Sequence, residues 1–368
     1  MKTNLRFFLI TFLAWAGMFV VSLNFKPPDY RPWNRLRVGP FRFKPSAQCK
    51  MTVCGDLGRI KGIKELQHFR DQVFTTDRFG LRNLSEVERP EVVVAGDSYV
   101  AGSGLSDEET LTYQMTLVMG RTVYNYGGET PFSASEFLSD PRFQQNPPKV
   151  LVYLLVYRAI MPLPLDPLWN HAGLPARVSD ILSDVKSFKQ RLDRDNYLAE
   201  LSRRFIAPYA PAMISNMASY VPIITVEGER KLTLSLDIQM LTQSPEERQM
   251  DLVVRTIAEF DRRLKQRGTH LVYAPMPEPG SLYPEFYDQK SRARLQQPPF
   301  IDLLLKQLDK QGVDYIDLRK SLEPNRIPYL YLPDDTHWDP RAVRLVAKIL
   351  VDYIKPLLPS TGKKKLGT

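Results

Sequence analysis

The chain has 368 residues, 43% of them hydrophobic and 25% charged, with a formal net charge of +9. That composition excludes a disordered chain and leaves room for one large domain with additions. The positive charge is dispersed apart from Lys363, Lys364 and Lys365, without zinc-finger spacing, an aromatic–basic RNA-binding motif or a basic helix fork, so a basic face near anionic lipid is expected and a nucleic-acid partner is not.

In chain order, residues 7–23 form an uncharged apolar run behind Lys2 and Arg6. Its length suits a short membrane span or a signal peptide. The small-residue match Ala14-Trp15-Ala16 lies inside the run, where cleavage would leave half of it behind. Residues 1–23 are therefore expected to be an uncleaved signal anchor, a single pass through the cytoplasmic membrane with the remaining chain periplasmic. Lys26, Arg31, Arg35 and Arg37 follow the span and oppose that orientation. The very short N-terminal tail, which ordinarily stays in the cytoplasm, supports it. Residues 24–74 read as a tether and N-terminal extension, rich in Pro and Arg up to about residue 48. This extension holds the only two cysteines, Cys49 and Cys54. As an isolated close pair in an exported chain they are expected to form a local disulfide.

From residue 75 strand and helix signals alternate. Residues 91–95 (EVVVA), 122–125, 150–157 (VLVYLLVY), 269–274 and 313–318 read as strands. Helices are expected from about Asp107, behind a Ser106–Glu109 capping box, and from Ser244 through an apolar face of Val253, Ile257, Phe260 and Leu264 to Gly268. Two more cover residues 300–311, ending at Gly312, and residues 340–354, opened by Asp339 and Pro340. The pattern predicts an α/β fold, a three-layer α/β/α domain on a five-stranded parallel sheet. Its first part covers residues 75–158 and its second 244–358, around a large, mostly helical insertion at 159–243. A basic tail fills 359–368.

Open parallel sheets bind ligands beyond the carboxyl ends of their strands. Gly96-Asp97-Ser98 follows the first strand of the sheet, and Asp334-Asp335-Thr336-His337-Trp338 follows the last. A serine at such an edge sits beside helix N–H groups that can hold an oxyanion. A carboxylate two or three residues before a histidine can hold Nδ1–H and leave Nε2 to take a serine proton. Either Asp334 or Asp335 has the reach. With one nitrogen ligand among these residues, no metal is expected, and no cofactor is called for.

The GDS at a strand end, the DTHW before the terminal helix, their order, and Phe79-Gly80-Leu81-Arg82 upstream resemble the SGNH (GDSL) hydrolase superfamily, in particular the exported alginate O-acetyltransferase group. The resemblance implies Ser98 as nucleophile, His337 as base, and Asp335 (D-T-H-W form) or Asp334 (D-x-x-H form) as the third member. It implies the Ser98 N–H as one oxyanion donor. Members carry a second donor, a Gly about five residues after a strand-end Asn. Here Asn125 is that Asn, Thr130 stands at the Gly position, and Gly127 or Gly128 is the replacement. Arg158 ends the third strand, as an Arg does in the acetyltransferase group, where it would hold charge or substrate. In that group the Asp-His pair precedes the serine, whereas here it follows. The implied function is O-acetyl transfer to, or ester removal from, an envelope or secreted polysaccharide, with a membrane-bound acyl donor as partner. The alternatives are a catalytically silent relative that binds polysaccharide or assists its assembly, and a lipid esterase.

Overall fold

A continuous β-branched run can satisfy itself only as a strand covered on both faces, and Val92, Val93 and Val94 are fully buried in such a strand. The structure is a computed structural model describing residues 31–38, 42–128, 134–160, 221–233, 247–295, 300–323 and 328–359. The described chain passes through α1 (Pro32–Leu36), β1 (Gln48–Val53), α2 (Asp56–Lys61), β2 (Arg70–Thr75), β3 (Val92–Gly96) and α3 (Ser98–Ala101). It continues through α4 (Leu111–Met119), β4 (Val123–Gly127), β5 (Val150–Val156), β6 (Ile223–Val226), β7 (Glu229–Leu232) and α5 (Glu247–Gln266). The last elements are β8 (His270–Met276), α6 (Phe300–Lys310), α7 (Leu318–Leu322) and α8 (Pro340–Ile354).

The main sheet is parallel, in the order β4-β3-β5-β8. From β3 the chain crosses through α4 to β4 on one side, and from β5 it crosses through α5 to β8 on the other. Right-handed crossovers in opposite directions put α4 and α5 on opposite faces. Helix α8 packs against α4, and α6 against α5, which completes the three layers. Helix α8 buries Val343, Val346, Leu350 and Ile354 along one stripe. Each such side chain contributes about 1.5–3 kcal/mol on burial, so packing holds this helix more than propensity does.

The sheet has four strands, not the expected five. Residues 313–318 run beside β8 for one bridge, Tyr273 to Tyr315. Tyr273 N–H donates to the Asp314 carbonyl and Ile316 N–H to that of Tyr273, both at 2.9 Å. Asp317 then accepts from the Lys320 N–H and opens α7, ending the ladder before a strand can form.

The expected tether is packed structure from residue 31 onward. Strands β1 and β2 pair antiparallel, and Trp33, Leu36, Phe43, Cys49 and Phe74 form a small core that includes Ala101 of α3. The expected Cys49–Cys54 disulfide is not formed. Five extended residues at about 3.3 Å each carry the thiols far beyond the ~7 Å Cα separation that a bridge tolerates. Of the expected helical insertion, the described residues 221–233 form an antiparallel β6–β7 hairpin. Its turn, Glu227-Gly228, has both φ angles positive, +50° and +82°, the tight geometry that favours a hairpin. The expected anchor lies outside the described residues, among which no helix is long and apolar enough to cross a membrane.

Candidate active site

Strand β3 ends where it has no room for a side chain. A Cβ on Gly96 would lie 2.4 Å from the Leu154 carbonyl oxygen of β5. The chain then turns sharply into α3, with Asp97 as cap. One Asp97 oxygen accepts from Tyr99 N–H (3.0 Å), the other from Val156 N–H (3.2 Å). Asp97 thus ties the start of α3 to the end of β5 and leaves Ser98, half-buried, at the first helical position. The Val100 and Ala101 N–H groups donate to the Asp97 carbonyl. Gly102, at φ +77°, ends the helix.

The second loop, residues 331–338, is closed by a Tyr331–Trp338 bridge and by the Leu332 N–H donating to the His337 carbonyl at 2.9 Å. Asp339 accepts from the Arg341 and Ala342 N–H groups and starts α8. Tyr99 fastens this loop to α3. Its hydroxyl donates to the Thr336 carbonyl at 2.5 Å, and its ring lies 4.7 Å from that of His337 and edge-on to Trp338. The result is a hydrogen-bonded chain. Ser98 Oγ lies 2.8 Å from His337 Nε2, and His337 Nδ1 lies 2.8 Å from Asp335 Oδ1. With Asp335 ionised, the ring proton is assigned to Nδ1 and the Nε2 lone pair faces the serine hydroxyl.

Asp335 is 3% exposed. Burial opposes its charge, but the attraction and hydrogen bond of His337, with Arg31 and Arg70 nearby, outweigh burial and hold the carboxyl well below the usual range. A base oriented in this way, beside a serine at a helix start, can generate a nucleophile and return a proton to a leaving alcohol.

Residues 235–368 match the family described as SGNH hydrolase-like domain, acetyltransferase AlgX. The C-terminal third of the chain is therefore similar to an SGNH hydrolase-like domain. His337 and Asp335 lie within the match and Ser98 outside it. A stretch of 90 residues is 34% identical to the "Probable alginate O-acetylase AlgJ" of Pseudomonas aeruginosa, covering 24% of this chain and 23% of that protein. The match therefore spans less than a quarter of that relative's length. Among solved structures, the acetyl xylan esterase Est2A of the rumen bacterium Butyrivibrio proteoclasticus is similar at 9% identity and a TM-score of 0.28, over 79% of this chain and 67% of that one. A likeness that slight bears on neither fold nor activity.

Other SGNH positions expected from the sequence fall differently. Asp334 faces away from His337 and is fully buried, accepting from the Gly55 N–H (2.7 Å), the His68 N–H (2.9 Å) and Arg70 Nη1 (2.9 Å). The Gly127 N–H, expected as an oxyanion donor, donates to Asn125 Oδ1 at 2.8 Å, and the Gly128 N–H to the Gly96 carbonyl at 3.3 Å. Both are committed to the sheet edge. Asn125 is itself buried, its amide donating to the Val100 carbonyl (2.7 Å) and Thr112 Oγ1 (3.2 Å), so it braces α3 from behind. Thr130 and the Arg158 side chain lie outside the described residues.

Sequence reasoning missed Tyr99, and noted Arg82 without seeing its place. The Arg82 guanidinium, 2% exposed, donates to Asp107 and to the Ala101, Gly102, Leu105 and Val73 carbonyls at 2.7–3.1 Å. It also lies 4.3 Å over the Phe74 ring. It therefore gathers the loop that follows the serine. The only signal in the sequence was its adjacency to Gly80-Leu81.

Proposed function

We propose that this chain is a serine acyl-ester enzyme working outside the cytoplasmic membrane, transferring O-acetyl groups to a polysaccharide or removing them. The observation that carries this reading is the unbroken chain from Ser98 Oγ through His337 to Asp335, with 2.8 Å at each link. The AlgX-type domain match, and the relative named as an alginate O-acetylase, support acetyl chemistry on a polysaccharide.

In this mechanism Ser98 attacks the acetyl carbonyl as its proton passes to His337 Nε2. Asp335 holds the imidazolium that results. The Ser98 N–H, at the first turn of α3, faces the developing oxyanion. Collapse expels the donor alcohol, which takes the proton from His337 and leaves an acetyl group on Ser98. A sugar hydroxyl or a water, deprotonated by His337, then attacks the acyl-enzyme and frees Ser98. A sugar hydroxyl makes the chain a transferase and water makes it an esterase. A membrane-bound acyl carrier is the proposed donor, and the residue 1–23 anchor the means of meeting it.

The engaged Gly127 and Gly128 N–H groups favour a second reading, a silent relative that binds polysaccharide, since they leave the oxyanion with one fewer backbone donor than expected. Hydrolysis of p-nitrophenyl acetate separates the two. The acyl-ester reading expects turnover in the wild type and a loss on the order of 10²–10⁴-fold in Ser98→Ala and His337→Ala. A wild type no faster than either variant supports the silent reading. Labelled acetyl appearing on an added polysaccharide distinguishes transfer from hydrolysis.

A further inference from the structure

The N-terminal extension reaches into the site through a network that the acyl-ester mechanism does not use. Four of its backbone N–H groups point at two consecutive residues of the carboxylate loop. Gly55 and His68 donate to the Asp334 carboxylate, Gly58 to the Asp334 carbonyl (3.0 Å) and Asp56 to Asp335 Oδ2 (3.3 Å). The approach is close enough that a Cβ on Gly55 would lie 2.2 Å from the Asp334 carbonyl oxygen.

One side chain of this extension touches both loops of the site. From the start of β2, Arg70 Nη1 donates to Asp334 Oδ1 (2.9 Å) and Nε to the Gly104 carbonyl (3.0 Å), with a further bond from Nη1 to the His68 carbonyl (3.2 Å). Gly104 belongs to the loop just after α3, and Asp334 adjoins the Asp335 that holds His337. The two loops also meet directly, since a Cβ on Gly104 would lie 2.5 Å from Leu332 Cδ1. Arg70 therefore spans the serine loop and the carboxylate loop with one rigid planar group, whose separate N–H vectors serve two acceptors at once.

We propose that Arg70, paired with the buried Asp334, is a positioning residue that sets the reach between Ser98 Oγ and His337 Nε2. This inference rests on the acyl-ester reading. Arg70 acts through Gly104 and Asp334 and does not touch the reacting atoms. A lysine keeps the charge but offers one ammonium in place of the fork, so it can hold one loop and not both. At His337 itself the charged and titratable neighbours in contact are Asp335, bonded to Nδ1, and Tyr99, whose ring lies against it, while Arg31 and Arg70 act on Asp335.

The test uses the full chain, with Arg70→Met and Arg70→Lys beside the wild type, fold checked by circular dichroism. In p-nitrophenyl acetate hydrolysis, kcat is expected to fall about 10- to 100-fold in Arg70→Met and at least about threefold in Arg70→Lys, with KM within about twofold. A second readout needs no turnover. The chain has four histidines, so selective ¹⁵N-histidine labelling gives a sparse spectrum in which His337→Gln identifies the His337 Nδ1–H proton. That low-field resonance is expected to shift or broaden in both Arg70 variants. If Arg70→Met does not fold, Arg70→Lys decides by the same readouts. Folded variants with wild-type kcat and an unmoved resonance overturn the inference, as does a raised KM at unchanged kcat. If the wild type shows no serine-dependent turnover the acyl-ester reading fails, and the resonance still decides whether Arg70 positions His337.

Discussion

Replacing Arg82 with Met should cost the fold more than any other single substitution near the site. The side chain is 2% exposed and its five hydrogen bonds gather residues 73, 101, 102, 105 and 107 around one cation. Burial pulls the guanidinium's pKa down, opposed by Asp107 and more distantly by Glu109. Methionine fills much of the volume but leaves the Asp107 carboxylate, 6% exposed, without its cation, and the Val73, Ala101 and Leu105 carbonyls without this donor, whereas the Gly102 carbonyl keeps the Leu105 N–H. Breaking a buried ion pair from one side costs about 3–5 kcal/mol. Each orphaned carbonyl adds about 1 kcal/mol, partly offset by the apolar contacts of Met. A net loss of about 4 kcal/mol lowers the melting temperature of a domain this size by about 10 °C. The double variant Arg82→Met/Asp107→Leu should regain about half of that, because it removes the stranded charge. It cannot regain all of it, since Asp107 also accepts from the Thr75 N–H at 3.0 Å. Thermal unfolding followed by circular dichroism reads both. A single variant melting within about 2 °C of the wild type, or a double variant no better than the single, would refute the assignment of Arg82 as a buried hub.

Tyr99→Phe removes the bond to the Thr336 carbonyl but keeps the ring against His337, so kcat for p-nitrophenyl acetate should fall about tenfold with the fold intact; an unchanged kcat would mean that the ring alone holds the loop. Asp335 is held below the ordinary carboxylate value of about 3.9, so the folded chain binds fewer protons than the unfolded chain around and below that pH. The stability it supplies is full above about pH 5 and is lost as pH falls towards the depressed value. The melting-temperature gap between wild type and Asp335→Asn should therefore narrow from pH 6 to pH 3, and a gap widening on acidification would contradict the direction of the shift. Gly55→Ala places a methyl group against the Asp334 carbonyl and should lower both the melting temperature and kcat; loss of neither would mean that the extension yields easily. Adding reductant should leave the melting temperature unchanged, because Cys49 and Cys54 are not bridged, whereas a drop of several degrees would reveal a disulfide.

Local features were the legible ones. The strands at β3, β5 and β8 are apolar runs buried on both sides, and the α5 and α8 boundaries follow from their apolar stripes and, in α8, from the Asp339-Pro340 start. Ser98, Asp335 and His337 could be read because a strand-end serine and a carboxylate two residues from a histidine are short patterns with a direct chemical meaning. The expected fifth strand failed because Asp317 offered its segment a helix cap, which apolar periodicity does not weigh. Gly127 and Gly128 failed as donors because a family position says nothing of where a neighbouring Asn points its oxygen. Arg70 and Arg82 were hidden for a different reason. Among 50 Lys and Arg residues, nothing local marks one that pairs with a carboxylate 264 residues away.

The central claim is that Ser98 becomes acetylated. The most direct measurement is peptide mass spectrometry of the chain quenched during turnover of p-nitrophenyl acetate, with Ser98→Ala alongside. The expected result is one acetyl group on the peptide containing Ser98, absent from the variant and discharged when a polysaccharide or water is given time to react. Turnover with no adduct on that peptide, or an equal adduct in Ser98→Ala, would contradict a serine nucleophile at this site.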